Sequence, residues 1–320
     1  MVKTAPKTAK IDLAGKTIWI TGSTGYLGRS FLAEWGERFP GAKPVLLVRR
    51  EPKTRRSGFE YAVAKHPSGD FTYEDLRALR ESAAPAAILH FATHFQNAYE
   101  PADAEKMIAA NVGFPTRLLE ACRGLPELRF LNFGSFYSHA DGTADGPLTF
   151  YAASKRAFES FLNFYGETPG WRAITLKVYD TYGPGDDRPK LVPKWIEILR
   201  SGEEMKVSPG GQKLSFVHVD DVADAVARAI ELLFGVGAEW KSGHRIYQLP
   251  ATEKLADLPT LKEIAGEFER AAGKKLPIRF GALPYRANEI MEPSLDFPVL
   301  PGWKPKIDLV TGFRRILKGK

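Results

Sequence analysis

The chain has 320 residues, 44% of them hydrophobic and 26% charged, enough for two domains and too apolar for a disordered polymer. A net charge of +7 favours anionic partners, but no zinc-finger, RNP or heptad pattern accompanies it, which argues against nucleic acid. No apolar run reaches the roughly 20 residues of a membrane span, and no apolar segment follows the basic start as in a signal peptide. Cys122 is the single cysteine, so no internal disulfide forms and the expected setting is the reducing cytoplasm.

Residues 1–10 read as a flexible basic tail. Apolar runs then alternate with amphipathic stretches. Strands are predicted at residues 17–20, 45–48, 87–92, 128–133 and 173–179. Helices are predicted at 26–39, 73–82, 104–122 and 151–165, from apolar residues at helical spacing. Residues 51–69 are polar and irregular. Strand and helix alternating in this way predict βαβ units and a parallel sheet. The pattern changes at Gly183-Pro184-Gly185. Beyond it come a helix at 191–199, a strand at 216–219, and a helix at 221–233 for which Asp220 is a candidate cap. A helix at 260–272, a short strand at 278–280 and a helix at 309–317 follow. The fold class is α/β, a doubly wound parallel sheet with a smaller α+β C-terminal substrate domain. The expected division is 11–182 plus 215–250 against 183–214 plus 251–320.

The first strand runs into Thr21-Gly22-Ser23-Thr24-Gly25-Tyr26-Leu27-Gly28 and then straight into a helix. Gly22 and Gly25 permit a tight turn, and Gly28 allows close helix–sheet packing. The helix N-terminus offers N–H groups and partial positive charge to a pyrophosphate. With a strand before it and a helix after it, this is a dinucleotide-binding Rossmann turn. The second strand ends in Val48-Arg49-Arg50, with no acidic residue at the tip. Guanidinium groups there favour the 2′-phosphate of NADPH/NADP over NAD. Asp70 is placed to accept from the adenine amino group, or to cap the helix after it.

Tyr151 and Lys155 stand four apart at a predicted helix start, on one face. A phenol is a poor proton donor or acceptor at neutral pH, and a nearby ammonium lowers its pKa. The pair then suits proton exchange with an alcohol or carbonyl oxygen during hydride transfer.

Together these motifs resemble the extended short-chain dehydrogenase/reductases, the NAD-dependent epimerase/dehydratase family. Further matches are Leu89-His90-Phe91-Ala92-Thr93, Asn111-Val112-Gly113, Tyr182-Gly183-Pro184, Val217-His218-Val219-Asp220-Asp221-Val222 and Gly302-Trp303-Lys304-Pro305. The resemblance implies that Ser135 orients the reacting oxygen toward Tyr151. It also implies that Thr24, Tyr26, Leu27, Phe71, Phe91, Ala92, Thr93, Asn111 and Tyr179 join the glycines and Arg49, Arg50 and Asp70 around the coenzyme. Dehydratases of this family carry Asp-Glu after the Ser/Thr. Here Phe136 and Tyr137 follow Ser135, so dehydration is not expected. The short interval to Tyr151 and the segment Asp180-Thr181-Tyr182-Gly183-Pro184-Gly185-Asp186 are similar to CDP-abequose/CDP-paratose synthases, which are nucleotide-sugar 4-ketoreductases.

The implied activity is NADPH-dependent reduction of a nucleotide-activated, CDP-linked 4-keto-deoxyhexose. The alternative is a 4-epimerase holding NAD tightly. His94, Ser135, Phe136, Tyr137 and Asp180 are expected at the nucleotide-diphospho-sugar. The family's diphosphate-facing arginine is replaced by Leu214, so Lys190, Lys194, Lys213 or Arg286 is expected to supply the phosphate charge. His90 and His94 lack the ligand set zinc requires, and no metal is expected. The helices around Asn111 and Phe158 imply a homodimer through a four-helix interface.

Overall fold

The computed structural model describes residues 11–66, 68–96, 99–139, 146–235, 240–286 and 289–319. The basic tail, residues 1–10, lies outside the described residues. The first half forms β1 (Thr17–Thr21), α1 (Tyr26–Leu32), α2 (Trp35–Arg38), β2 (Lys43–Val48), β3 (Glu60–Val63), α3 (Tyr73–Ser82), β4 (Ala87–His90), α4 (Pro101–Ile108), α5 (Phe114–Ala121), β5 (Leu128–Ser135), α6 (Phe150–Gly166) and β6 (Trp171–Val178). The second half adds β7 (Asp180–Tyr182), α7 (Leu191–Ser201), β8 (Met205–Lys206), β9 (Phe216–His218), α8 (Val219–Phe234), β10 (Gly243–Leu249), α9 (Leu261–Ala272), β11 (Ile278–Arg279) and α10 (Leu309–Leu317).

Seven strands pair in the order β10-β6-β5-β4-β1-β2-β3, all parallel. Ile88, Leu89, Leu131, Ile174 and Leu176 are buried, as expected of strands covered by helices on both faces. Chain order reverses between β1 and β4, and such a switch point is where open α/β sheets bind ligands, beyond the strands' carboxyl ends. A separate apolar core gathers Tyr182, Trp195, Phe216, Ile264, Phe268 and Phe313 from β7, β9, α7, α9 and α10.

Several elements differ from the sequence reading. The helix predicted at 26–39 is two helices, broken after Leu32, and the second sets Trp35 and Phe39 against Phe31, with ring centroids 5.9 and 6.1 Å away. The helix predicted at 104–122 is interrupted by a π-helical turn at Ala109–Gly113. Pro115 follows it, and a proline ring crowds the carbonyl four residues back, that of Asn111, so the wider turn accommodates it. β3 falls inside the stretch read as irregular; it is an edge strand pairing with β2 and has no fully buried face to mark it. Asp220 is not the cap of α8. His218 is, its Nδ1 accepting from Asp220 N–H at 3.2 Å. Nor is Asp70 a cap, since Thr72 caps α3 through a capping box with Asp75. The lone Cys122 is fully buried beneath the sheet, and burial pushes its thiol up to about 12.

Candidate active site

The coenzyme turn is built from backbone. Gly22 has φ +69°, and a Cβ there would lie 2.4 Å from Ala92 N and 2.6 Å from the Phe91 carbonyl carbon. A Cβ on Gly28 would lie 2.2 Å from Gly22 O. Glycine is therefore required for β1, the turn, α1 and the loop after β4 to approach each other so closely. No side chain caps α1, so its first N–H groups are left for a ligand or water. These features fit a dinucleotide pyrophosphate. Arg49 and Arg50 are exposed just beyond β2, and Asp70 is exposed nearby, accepting from Ser68 Oγ at 2.7 Å. Phe71 instead buries its ring in the core, stacked on Phe114, which leaves only its backbone for a coenzyme.

Asn111 ties the floor of the crevice together from the π-helical turn. Its Oδ1 accepts from Thr93 Oγ (3.0 Å) and His94 N–H (2.8 Å), and its Nδ2 donates to His94 O (2.9 Å) and Ser154 Oγ (3.0 Å). The π-helical turn, the loop after β4 and α6 are thereby fixed to one another. His90 is fully buried and paired with Thr21 Oγ at 2.8 Å; burial and the Lys155 charge hold it neutral, a packed core group.

Ser135 closes β5, and its Oγ accepts from Tyr137 N–H at 3.3 Å. Tyr151 lies in the first turn of α6, which Thr149 caps by accepting from Ala152 N–H at 3.1 Å. Thr93 lies close enough to the Tyr151 phenol to act on its pKa, and the Tyr151 ring meets Phe95 edge-on at 4.9 Å. Burial raises the phenol's pKa, against which Thr93 and the cation Arg188 act. Lys155 was expected to be that cation. In the structure it is 1% exposed and held down to about 8, mainly by burial, with Glu159 raising it and Lys177 lowering it.

Arg188 falls in Arg188-Pro189-Lys190, a segment also similar to the synthases, but the sequence reading gave it no role in the site. Asp186 grips its guanidinium at 2.7 and 2.8 Å, and Thr181 O and Oγ accept from it at 2.8 and 3.0 Å. It lies 4.4 Å from the centre of the Tyr26 ring. Arg29, from α1, pairs with Asp187 at 2.9 Å and reaches the Gly185 carbonyl. The loop after β7 is thus clasped to the coenzyme helix.

Beside these groups opens a cavity of about 1030 Å³, lined among others by Phe95, Phe136, Tyr137, Asp180, Lys190, Ser208, Lys213, Arg286 and Glu289. Its size suits a sugar nucleotide. Asp180 is held up by burial, against the pull of Lys190 and Arg188. Asp180, burial and Glu289 push the Tyr137 phenol well up, so it stays protonated. Lys190 lies 3.9 Å from Asp180 and over Phe95, while Lys213 pairs with Glu292 at 2.9 Å. Tyr179 stacks on Phe136 and directs its hydroxyl at Gln248 Oε1 and Ser294 O, both 2.6 Å away. Lys194 departs from expectation: it pairs with Glu197 on the exposed face of α7, because three residues along a helix bring the two together there. His94 presents its backbone to Asn111 and is not among the residues lining the cavity. Among the described residues, no cluster of three or more His, Cys, Asp or Glu is arranged to hold a metal, and no helix is long and apolar enough to cross a membrane.

Comparisons with known proteins agree with this geometry. Relatives include CDP-abequose synthase of Salmonella muenchen, 28% identical over 237 residues, covering 73% of this chain and 76% of that protein. CDP-abequose synthase of Yersinia pseudotuberculosis is 26% identical over 88% of this chain and 92% of its own. Among solved structures, MoeE5 in complex with UDP-glucose and NAD superposes with a TM-score of 0.74 at 18% identity, covering 95% of this chain and 98% of that one. Residues 18–238 match the NAD dependent epimerase/dehydratase family. Glycine turn, Ser135, Tyr151 and Lys155 all fall within that span, and the chain belongs to this NAD dependent epimerase/dehydratase family.

Proposed function

We propose that the protein is an NADPH-dependent 4-ketoreductase of a CDP-linked 4-keto-deoxyhexose, working in the cytoplasm as a homodimer. The observation that carries the reductase reading is the pair after Ser135. Phe136 and Tyr137 stand with ring centroids 4.1 Å apart where elimination needs an acid and a base. The CDP-abequose synthase relatives support the CDP sugar. Ile108 (50% exposed), Phe161 (40%) and Phe164 (69%) on α4 and α6 support pairing through those helices. Residues 11–182 plus 215–250 would hold the coenzyme, and 183–214 plus 251–320 the sugar nucleotide.

Bound NADPH supplies the hydride that C4 of the ketosugar receives. Ser135 Oγ donates a hydrogen bond to the C4 carbonyl oxygen and aims it at Tyr151. Tyr151 gives its proton to that oxygen as it becomes an alkoxide, so carbonyl, hydride and proton together become an alcohol. The Arg188 charge favours the phenolate left behind. Lys155 holds the nicotinamide ribose. Lys190 and Arg286 face the diphosphate, and Asp180 and Tyr137 the sugar.

The test is a panel of CDP-, dTDP-, GDP- and UDP-4-keto-6-deoxyhexoses with NADPH, followed at 340 nm. Stoichiometric NADPH loss with the CDP sugar is expected. Turnover with dTDP sugars alone would remove the CDP assignment. A 4-epimerase, the second reading, would interconvert C4 epimers with NAD that co-purifies and is not consumed; the NAD in the MoeE5 structure favours that reading. Replacing Arg49 and Arg50 together with Ala is expected to lower the NADPH-over-NADH preference at least about tenfold, since each charge-assisted contact is worth about 1.5–3 kcal/mol. Unchanged preference by coenzyme titration would place the 2′-phosphate elsewhere.

A further inference from the structure

Directly behind the reaction site lies a buried ion pair to which none of the foregoing chemistry assigns a role. Lys177 Nζ donates to both carboxylate oxygens of Glu159, at 2.7 and 2.8 Å, with side chains only 1% and 6% exposed. Glu159 is on α6, one turn beyond Lys155 and two turns beyond Tyr151. Lys177 is on β6, paired in register with Gly134, the residue before Ser135. The fit around that glycine is close. A Cβ on Gly134 would lie 2.7 Å from Glu159 Oε1 and 2.9 Å from Lys177 Cδ. One ion pair therefore touches both elements that carry Ser135, Tyr151 and Lys155, namely β5 and α6, from a third, β6.

Stability alone does not explain such a pair. Taking two charges out of water offsets most of their attraction, and well-packed apolar residues often serve as well or better. What distinguishes this pair is a third buried charge, Lys155, within electrostatic reach of both members. The ionisable groups acting on Lys155 are Glu159 from its own helix and Lys177 from β6, while His90 on β4 faces it as a neutral ring. Arg156 acts on Glu159 and Lys177, and Lys177 also lies 5.4 Å from the centre of the Phe297 ring.

We propose that Glu159 and Lys177 are positioning residues for Lys155: their ion pair locks α6 against β5 and β6, and its two opposed charges set the electrostatic environment in which Lys155 works. The assignment rests on the placing of Lys155 in the coenzyme site and not on the identity of the sugar. Glu159 attracts the Lys155 ammonium and Lys177 repels it, so the two partners of one pair act on Lys155 in opposite senses. A purely structural pair has no such signature, because breaking it from either side removes the same contact.

The experiment titrates Lys155 in the coenzyme-free protein by NMR of chain labelled with lysine carrying 13C at Cε. The signal is assigned by its loss in Lys155→Met. In the parent chain its midpoint is expected at about 8. Glu159→Gln is expected to move it down by about one pH unit, and Lys177→Gln to move it up by about as much. The double variant, with both charges removed, is expected to return within about half a unit of the parent. Lys177→Arg, which keeps the charge, leaves the midpoint in place. Should Glu159→Gln not fold, Glu159→Asp withdraws the carboxylate by one methylene and moves the midpoint down by a smaller amount. Movement of both single variants in one direction, or of neither, would overturn the proposal. No sugar or coenzyme enters the measurement, so failure of the reductase reading would leave this result interpretable.

Discussion

Tyr151→Phe is expected to yield a folded protein that still binds NADPH but reduces its ketosugar about 10³-fold more slowly, within the 10²–10⁴ range of a lost general acid. The substitution removes one oxygen and keeps the ring. The edge-on contact with Phe95 at 4.9 Å survives, as does the Thr149 cap of α6. Loss of the hydroxyl removes at most one hydrogen bond, about 0.5–1.5 kcal/mol, too little to unfold a domain. Thr93 stays anchored through Asn111, so the crevice floor remains fixed. Ser135 then orients the carbonyl oxygen without a proton to give it. Single-turnover absorbance measures the chemical step, and nicotinamide fluorescence measures binding. A rate within tenfold of the parent would show that the proton comes from another group.

Gly22→Ala is expected to act one step earlier, on coenzyme binding and on the fold. At φ +69° an alanine costs about 1–2 kcal/mol from its Cβ alone. That Cβ would also lie 2.4 Å from Ala92 N, and neither side of the contact is a flexible side chain. Relief requires moving the turn away from the loop after β4, and overpacking of this kind costs a further 1–3 kcal/mol or so. The same movement displaces Thr93, which lies beside the Tyr151 phenol. The expected outcome is a melting temperature lower by several degrees and NADPH affinity weakened at least about 100-fold. Gly25→Ala serves as the milder comparison, because its Cβ would meet only Gly22 O, at 3.3 Å. Equal binding by the two variants would mean that the turn is not where the pyrophosphate rests.

Much of the fold was legible because its signals are local. Buried parallel strands read as short apolar runs, and Ile88-Leu89 or Leu131 carry that pattern whatever surrounds them. Helix α3, with its capping box, falls at the residues expected. Signals that depend on tertiary surroundings did not read through. Edge strand β3 has only partly buried side chains, and β10 gains its place from pairing with β6. The π-helical turn answers to Pro115, a residue common at a helix start and unusual within one.

The candidate site shows the same division. Tyr151, Lys155 and the glycines announce themselves by spacing. Arg188 does not, because its place beside Tyr26 and its charge on Tyr151 depend on a loop folding back over α1. Lys194 looked like a phosphate ligand in a basic stretch, and only the helix turn revealed that its ammonium points outward to Glu197. Spacing assigned the phenol's cation to Lys155; in the structure Arg188 acts on Tyr151, and the depth of burial separates the roles of the two cations.

The inaccessible sulfur of Cys122 has a practical corollary. Shielded from solvent and with its pKa pushed well above neutral pH, it is expected to resist maleimides and mild oxidants. A cysteine introduced on the loop beside Asp187, or on the exposed face of α6, would then be the one reactive handle in the molecule. Fluorophore pairs or spin labels attached at such positions report distances across the crevice without first stripping the chain of its native sulfur.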